Sequence, residues 1–354
     1  MPKMPKLVGR GVEISGVSAC VPSSIEDNDA LETLSEKARK EIIEQVGIRY
    51  RHIAPESVTS ADLCQAASEK LLSELRWNPS DVGLLVFVTQ TPDHLVPGSA
   101  TQLQSKLGLG AHAISLDINQ GCAGYVYGLS VTTAMMRSFG IEKGLLLVGD
   151  TITKMISKED NSIRPIFSDA GSATALQLNT EAPDMTFKLG SKGSEFEAIH
   201  IPDGGFRFPI DQQSLQSKKI AEGVSRSRSQ LTMNGQAVFT FGLSTVANSI
   251  QETLKESGLT AEDLDHVVLH QANQLMNSSI VRKTGFRQDQ APSSLFNYGN
   301  TSCATIPVTL VTELGDKLRE EKLKLLLCGF GVGLSWGNVI LETDRIVCPP
   351  IIKI

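Results

Sequence analysis

A cysteine, a histidine and an asparagine each occur where one predicted element gives way to the next. Cys122 follows the alternating apolar run Ile114–Ile118 and precedes a pattern with helical spacing over 126–135. Free backbone N–H groups and the positive end of a helix dipole both favour a thiolate at such a position. Flanking glycines let backbone and substrate approach closely, as a nucleophile requires. A lone cysteine more often has only a packing role, so a catalytic role depends on partners elsewhere in the chain.

Two further side chains provide such partners. His270 ends an apolar run and begins the segment His-Gln-Ala-Asn, a predicted strand-to-helix junction on the same sheet edge as Cys122. Asn300 lies in the segment Asn-Tyr-Gly-Asn-Thr-Ser, another predicted junction, although asparagine and glycine also favour simple turns. The glycine-rich segment 329–337 either offers backbone N–H groups to an oxyanion or forms a tight turn. Together these positions predict a site with a nucleophile, an imidazole and an amide.

The elements that must position these residues repeat along the chain. Strands are predicted over 84–88, 114–118 and 144–150 in the first half, and over 267–270 and 323–331 in the second. A steady offset of about 180 residues between matching elements indicates two copies of one α/β unit. Alternating helices and strands predict layered α/β/α sheets. We therefore predict two halves, 1–180 with the cysteine and 181–354 with the histidine and asparagine, and insertions over about 181–238.

Length, charge and cysteine spacing narrow the class of protein. A chain of 354 residues with 41% hydrophobic residues can bury a large core or two. A formal charge of −6 argues against nucleic-acid binding, and no apolar run approaches the roughly 20 residues of a membrane span. The six cysteines are scattered without a Cys-x-x-Cys pair. This spacing predicts reduced thiols, a cytoplasmic location and no metal site.

Four motifs in order resemble a known family. The segments ending at Gly124, Asn273, Ser302 and Gly337 (Gly-Cys-Ala-Gly, His-Gln-Ala-Asn, Tyr-Gly-Asn-Thr-Ser and Gly-Phe-Gly-Val-Gly-Leu-Ser-Trp-Gly) are similar to those of β-ketoacyl-ACP synthase III in the thiolase superfamily. The resemblance covers nearly the whole chain. It implies a thiolase-like, internally duplicated α/β/α/β/α fold. It also implies a homodimer in which strand 114–118 of each subunit joins across the two-fold axis.

The resemblance also implies a role for each site residue. Cys122 would be the acylated nucleophile, and backbone N–H groups of Cys122 and Val332 would form its oxyanion hole. His270 and Asn300 would hold the thioester carbonyl of malonyl-ACP or malonyl-CoA. Loss of CO2 would generate an enolate that attacks the acyl group, so neutral hydrogen-bond donors suffice and no cofactor is implied.

Two alternatives to a ketosynthase stay open at this point. One is an acyltransferase of the same family that moves the acyl group from Cys122 to an alcohol or an amine. The other is a catalytically idle subunit that only binds an acyl carrier, which the intact cysteine, histidine and asparagine disfavour. The sequence leaves the acyl chain and its carrier, CoA or acyl carrier protein, undetermined.

The chain departs from the family where the carrier is bound. Glu41 and Gln45 stand where housekeeping members resemble a tryptophan and an arginine that clamp the CoA nucleotide. Leu275 replaces an arginine that helps to dock acyl carrier protein. These changes favour an acyl donor other than acetyl-CoA and a specialised pathway. Val96 replaces a larger phenylalanine at the gate of the acyl pocket, which favours longer or branched chains. The candidate residues are Val96, Phe330 and Gly331 for the substrate pocket, and Gln45, Arg164 and Asn273 for the carrier mouth.

Overall fold

The computed structural model describes residues 7–354, which contain seventeen strands and ten α-helices. The strands are β1 (Leu7–Gly9), β2 (Val12–Val21), β3 (Ile25–Asp27), β4 (Tyr50–His52), β5 (Leu84–Val88), β6 (Ile114–Ile118), β7 (Lys143–Asp150), β8 (Ala170–Leu178), β9 (Met185–Ser191), β10 (Ile199–His200), β11 (Lys218–Ala221), β12 (Val224–Arg226), β13 (Thr232–Met233), β14 (His266–Leu269), β15 (Lys322–Gly331), β16 (Ser335–Asp344) and β17 (Ile352–Lys353). The helices are α1 (Glu36–Glu41), α2 (Ser60–Leu75), α3 (Ser99–Lys106), α4 (Gly124–Phe139), α5 (Gly235–Phe241), α6 (Ala247–Ser257), α7 (Gln274–Thr284), α8 (Leu295–Tyr298), α9 (Thr305–Glu313) and α10 (Gly315–Glu320).

Two large sheets are built on the same plan. The first has the strand order β17-β2-β8-β7-β5-β6, and the second has the order β1-β9-β16-β15-β14. Each has a parallel pair at the corresponding place, β5 with β7 in the first and β14 with β15 in the second, and the first sheet has two further parallel pairs, β5 with β6 and β17 with β2. In each sheet the next two strands continue the order in antiparallel pairing, β8 and β2 in the first and β16 and β9 in the second. This common topology agrees with the predicted internal duplication.

Helices form three layers around the two sheets. Helices α2 and α3 pack on the outer face of the first sheet, and α4 and α9 contact both sheets from between them. Helices α6 and α7 pack on the outer face of the second sheet. The order of layers is α/β/α/β/α, as predicted. Strand β5 is apolar throughout because Val86 packs between the sheets while Phe87 packs outward against α2.

The two ends of the chain cross between the halves. Strand β1 pairs with β9 of the second sheet, and β17 pairs with β2 of the first. Within the segment predicted to hold insertions, β9 belongs to the second sheet, and β11 and β12 form a separate hairpin. The division of the chain at residue 180 stays a prediction. Residues 1–6 of the predicted first half lie outside the described residues. Within 7–354, no helix combines the length and apolarity needed to cross a membrane.

Candidate active site

Cys122 lies at the junction between β6 and α4. Strand β6 ends at Ile118, and α4 begins at Gly124. The predicted strand-to-helix junction is therefore confirmed. A glycine is needed at position 121, because a Cβ there would lie 2.2 Å from Cγ1 of Val332. The close approach brings the turn that holds Val332 against the nucleophile.

The turn between β15 and β16 closes one side of Cys122. Gly331 has a φ of 154°, and a Cβ at this position would lie 2.6 Å from Sγ of Cys122. Only glycine permits this approach without a shift of the thiol. The backbone N–H groups of Val332 and of Cys122 itself, and the side chain of Ser302, act to lower the pKa of the Cys122 thiol. The two N–H groups are those expected for the oxyanion hole, and that role stays a prediction.

The Cys122 side chain is a thiol in the resting protein. Burial raises the pKa of Cys122 to about 11, the backbone N–H of Val332 opposes this, and the nearby Asp150 carboxylate adds to it. Desolvation thus outweighs the N–H groups and the helix terminus that favour an anion. The expectation of a favoured thiolate is therefore wrong for the resting state. A proton must leave the sulfur when the acyl group arrives.

Alkylation of Cys122 is expected to accelerate with pH without levelling off. Iodoacetamide attacks the thiolate, whose fraction rises about tenfold per pH unit between about pH 7 and 9 when the pKa lies far above that range. Rates of mass increase on the intact protein measure this, with Cys122→Ala as the unlabelled control. A rate that is constant across this range would contradict the raised pKa.

His270 follows β14 directly and is 2% exposed. Its Nδ1 lies 2.7 Å from Oγ1 of Thr305, and the ring meets Phe330 edge-on with 5.4 Å between ring centroids. Burial lowers the pKa of His270 to about 3. The imidazole is therefore neutral near pH 7. It can donate a hydrogen bond to a substrate but is a weak base.

Asn300 is held by a backbone bridge to Phe167, in which its N–H donates to the carbonyl of Ile166 at 3.0 Å and its carbonyl accepts the N–H of Ser168 at 2.9 Å. The short helix α8 precedes it, so the prediction that it ends a strand is wrong. Its Oδ1 accepts a hydrogen bond from the backbone N–H of Ser302 at 2.9 Å. Ser302 has a φ of 54°, in the left-handed region that non-glycine residues seldom occupy. With Oδ1 engaged, the amide NH2 of Asn300 is the group that can donate to a ligand.

Cys122, His270 and Asn300 line one cavity with a volume of about 60 Å³. Phe330 and Gly331, assigned from sequence to the substrate pocket, line the same cavity. Asn273, assigned to the carrier mouth, lines it too, and its side chain caps α7 by accepting the backbone N–H of Met276. The remaining wall is mainly apolar and includes Ile166, Phe167, Ile199, Met233, Val238 and Met276.

The other three predicted residues lie apart from this cavity in the single chain. Val96 is 84% exposed, and Gln45 is exposed on a π-helical turn over 42–46. Arg164 lines a separate cavity of about 950 Å³, where its guanidinium is 3.2 Å from Glu26 and donates to a backbone carbonyl. The carrier and gate roles of these residues stay predictions.

Two buried polar residues near the site were not anticipated from the sequence. Asp150 ends β7, and its Oδ1 accepts the backbone N–H of Gln90 at 2.7 Å while its Oδ2 accepts the thiol of Cys303 at 3.2 Å. Burial raises the pKa of Asp150. In the sequence, a carboxylate directly after an apolar run was a signal that could have identified Asp150. The hydroxyl of Thr305 gives no such signal, because threonine is ordinary at a helix start.

Metal-binding side chains do not cluster in the described chain. Across residues 7–354, no group of three or more histidine, cysteine, aspartate or glutamate side chains could hold a metal ion.

Two family models match the chain in order. The model described as 3-oxoacyl-[acyl-carrier-protein (ACP)] synthase III matches residues 116–193. The model described as its C-terminal part matches residues 254–343. The first range includes Cys122, and the second includes His270 and Asn300. The matched ranges thus contain the three residues that share the cavity.

Individual proteins give the same result over nearly full length. The chain is 31% identical over 332 residues to the β-ketoacyl-[acyl-carrier-protein] synthase III of Streptococcus pneumoniae (strain Hungary19A-6), covering 93% of this chain and 98% of that protein. It is similar to the crystal structure of a 3-oxoacyl-(acyl-carrier protein) synthase from Burkholderia xenovorans LB400, with a TM-score of 0.92, 35% identity and 99% of each chain covered. It is also similar to the priming β-ketosynthase of the R1128 polyketide biosynthetic pathway, with a TM-score of 0.80, 25% identity, and 97% of this chain and 99% of that chain covered.

Proposed function

We propose that Cys122 takes an acyl group from a thioester and that a malonyl thioester then extends this group. The chain belongs to the 3-oxoacyl-[acyl-carrier-protein] synthase III family of condensing acyltransferases. The donor is an acyl-CoA or an acyl-ACP, and malonyl-ACP or malonyl-CoA is the extender. The observation that carries the proposal is the convergence of Cys122, neutral His270 and Asn300 on one small, mainly apolar cavity. Acyl carrier protein is therefore a proposed partner.

The first step forms a thioester on Cys122. Sγ attacks the acyl carbonyl carbon, and the carbonyl oxygen gains negative charge. The N–H groups of Cys122 and Val332, which also act to lower the pKa of the Cys122 thiol, are proposed to stabilise that oxyanion. The carrier sulfur leaves as a thiolate and takes up the proton that Cys122 loses.

The second step makes the carbon–carbon bond. The malonyl carboxylate leaves as CO2, and the electrons of the broken bond form an enolate whose oxygen accepts hydrogen bonds from His270 and Asn300. The enolate carbon attacks the acyl carbonyl, and Sγ of Cys122 leaves and is reprotonated. Decarboxylation supplies the carbanion, so a histidine with a pKa near 3 is adequate. The product is a 3-oxoacyl thioester.

Identification of the product after acylation tests this function. The acylated protein is mixed with malonyl-ACP, and CO2 release and the released thioester are measured. We expect stoichiometric CO2 and a 3-oxoacyl thioester. An acyl ester or amide formed without CO2 would replace this proposal with transfer to an alcohol or an amine. Such transfer requires a base to activate the acceptor, and His270 is a poor one.

The donor proposed for the first step is not acetyl-CoA, in keeping with a specialised pathway. The side chain of Gln45 is exposed, and the carboxylate of Glu41 lies 3.8 Å from Nζ of Lys37. An aromatic residue at 41 and a cation at 45 would add a stacking surface and a phosphate partner. Contacts of these kinds are worth roughly 0.5–2 and 1.5–3 kcal/mol. The R1128 relative, named for priming a polyketide pathway, is an example of a specialised member of the family.

Acetyl-CoA is therefore expected to acylate Cys122 at least about 30-fold less efficiently than a matched acyl-ACP, since each 1.4 kcal/mol is about tenfold. The double change Glu41→Trp with Gln45→Arg is expected to improve the KM for acetyl-CoA and leave acyl-ACP unaffected. Glu44→Gln, on the same exposed turn, is the control. A micromolar KM for acetyl-CoA in the unmodified chain would contradict the proposal.

A homodimer is proposed from the edge of the first sheet. Strand β6 is the last strand of that sheet, and Ile114 is 40% exposed. An apolar edge strand is a template for pairing with another strand. Pairing of two β6 strands would cover this edge and continue the sheet into the partner. Val96, 84% exposed in the single chain, would then be placed to reach the partner's acyl pocket.

Light scattering at micromolar concentration is expected to give twice the mass of the chain, with an interface above about 2,000 Å². Ile114→Lys at the edge of the sheet is expected to weaken the dimer. Phe139→Lys, at an exposed apolar residue at the end of α4, is the matched control and should leave it intact. A monomeric unmodified chain would contradict this prediction.

A further inference from the structure

The Nδ1 atom of His270 lies in a small group of buried polar atoms. Thr305, the first residue of α9, is 1% exposed, and its Oγ1 lies 2.7 Å from Nδ1 of His270. The same Oγ1 lies 3.2 Å from the backbone carbonyl of Ser302. That carbonyl also acts against the lowering of the His270 pKa by burial, as a hydrogen-bond acceptor beside the ring does. The position of the single hydroxyl hydrogen therefore decides which ring nitrogen carries a proton.

The hydroxyl hydrogen has two possible acceptors, the carbonyl of Ser302 and Nδ1 of His270. The carbonyl of Ser302 already accepts the backbone N–H of Thr305, so it does not depend on the hydroxyl. Nδ1 is the closer acceptor, at 2.7 Å against 3.2 Å, and donation to it is the arrangement that leaves a hydrogen on Nε2 for the enolate of the proposed function. When the hydroxyl donates to Nδ1, that nitrogen must be unprotonated, and a neutral imidazole then carries its only N–H hydrogen on Nε2.

We propose that Thr305 is a positioning residue that fixes His270 in the tautomer with hydrogen on Nε2, so that the ring donates a hydrogen bond to the substrate oxygen. This inference rests on the proposed function, in which His270 stabilises the enolate. Nε2 is the ring nitrogen left to meet a ligand in the cavity that His270 lines. In the other tautomer Nε2 would present a lone pair, which repels the enolate oxygen.

Removal of the hydroxyl is expected to reverse the tautomer. In Thr305→Val the carbonyl of Ser302 becomes the remaining partner of Nδ1, and a carbonyl only accepts hydrogen bonds. The proton then moves to Nδ1, and Nε2 loses its donor. Decarboxylation of malonyl-ACP should fall about 10²- to 10³-fold, the effect of losing one oxyanion donor. Acylation of Cys122 should change less than about threefold, because its oxyanion hole uses backbone N–H groups.

The tautomer is read directly by 15N NMR of protein labelled at its six histidines, without substrate. A His270→Ala spectrum assigns the His270 signals. We expect an unprotonated Nδ1 and a protonated Nε2 in the unmodified chain and in Thr305→Ser, and the reverse in Thr305→Val. Thr305→Ser should also restore decarboxylation. Thr309→Val removes another buried hydroxyl one turn along α9, which donates to the Thr305 carbonyl, and should leave the His270 signals and both half-reactions near normal.

Three outcomes would overturn the inference. They are a protonated Nδ1 in the unmodified chain, an unchanged tautomer in Thr305→Val, and equal losses of acylation and decarboxylation in that variant. Failure of the proposed function has a different signature. In that case His270→Ala leaves product formation intact, whatever the tautomer is. If Thr305→Val does not fold, the NMR assignment of the unmodified chain still decides the inference.

Discussion

Replacement of Cys122 by alanine is expected to abolish acyl transfer from every donor while the fold is retained. The sulfur atom is the proposed nucleophile, and no neighbouring group of the cavity can take its place, because His270 and Asn300 are proposed only to donate hydrogen bonds. Alanine fits the position of a side chain that is 8% exposed, so the cost should be near the ~1 kcal/mol of losing a methyl-sized buried group. Intact-protein mass after incubation with acyl-CoA and acyl-ACP donors measures the adduct directly.

Cys348→Ala is the matched control for this experiment. Cys348 is equally a buried free cysteine, but it packs near Arg319, which donates to its backbone carbonyl, and it does not line the active cavity. This variant should acquire the full adduct mass at the normal rate. An adduct that persists in Cys122→Ala would show that the nucleophile is another residue.

Asn300→Ala is expected to separate the two half-reactions. The amide NH2 is proposed to donate to the enolate oxygen, and loss of one such donor lowers the rate about 10²- to 10³-fold. Acylation of Cys122 does not involve this oxygen, so it should remain within about threefold of normal. Single-turnover acylation by mass spectrometry and CO2 release from malonyl-ACP measure the two steps separately.

Asn297→Ala provides the control for this second prediction. Asn297 is exposed on the short helix α8, three residues before Asn300. It should retain both half-reactions. Equal loss of acylation and decarboxylation in Asn300→Ala would instead assign the amide a structural role, through the hydrogen bond that it accepts from the backbone N–H of Ser302.

Apolar patterning predicts most of the elements that hold the site. The runs over 84–88 and 114–118 coincide with β5 and β6. Helix α1, over Glu36–Glu41, does not continue regularly but is followed by a π-helical turn over 42–46. That turn ends at Gly47, where φ is 82° and a Cβ would lie 2.4 Å from the side chain of Gln274. The break thus reflects packing against α7, a contact that local periodicity does not contain.

The terminal strands illustrate a second limit. Strand β1 has three residues and β17 has two, and each pairs with a sheet of the opposite half. Segments this short carry little pattern of their own. Their partners are set by the edges that the two assembled sheets leave open, so the crossing of the termini could not be inferred from a division of the chain into halves.

The motifs pointed to the cysteine, the histidine and the asparagine that share the cavity, although the strand predicted before Asn300 is a helix. They did not predict the protonation of these groups. The pKa of Cys122 depends on burial, which outweighs the N–H groups of its helix terminus. The tautomer of His270 depends on Thr305, thirty-five residues away in the chain. The first property includes a contact between the halves, from Cys122 to Val332, and the second is a contact within the second half. Only the folded arrangement contains them.

The central claim is that one acyl group passes through Cys122 and leaves it as part of a 3-oxoacyl thioester. A single-turnover experiment tests this most directly. Protein carrying an isotopically labelled acyl group is isolated, mixed with malonyl-ACP and followed by intact mass and product analysis. We predict that the label is lost from the peptide containing Cys122 and appears in a 3-oxoacyl thioester with an equal amount of CO2. Label on another residue, or its release without CO2, would contradict the account.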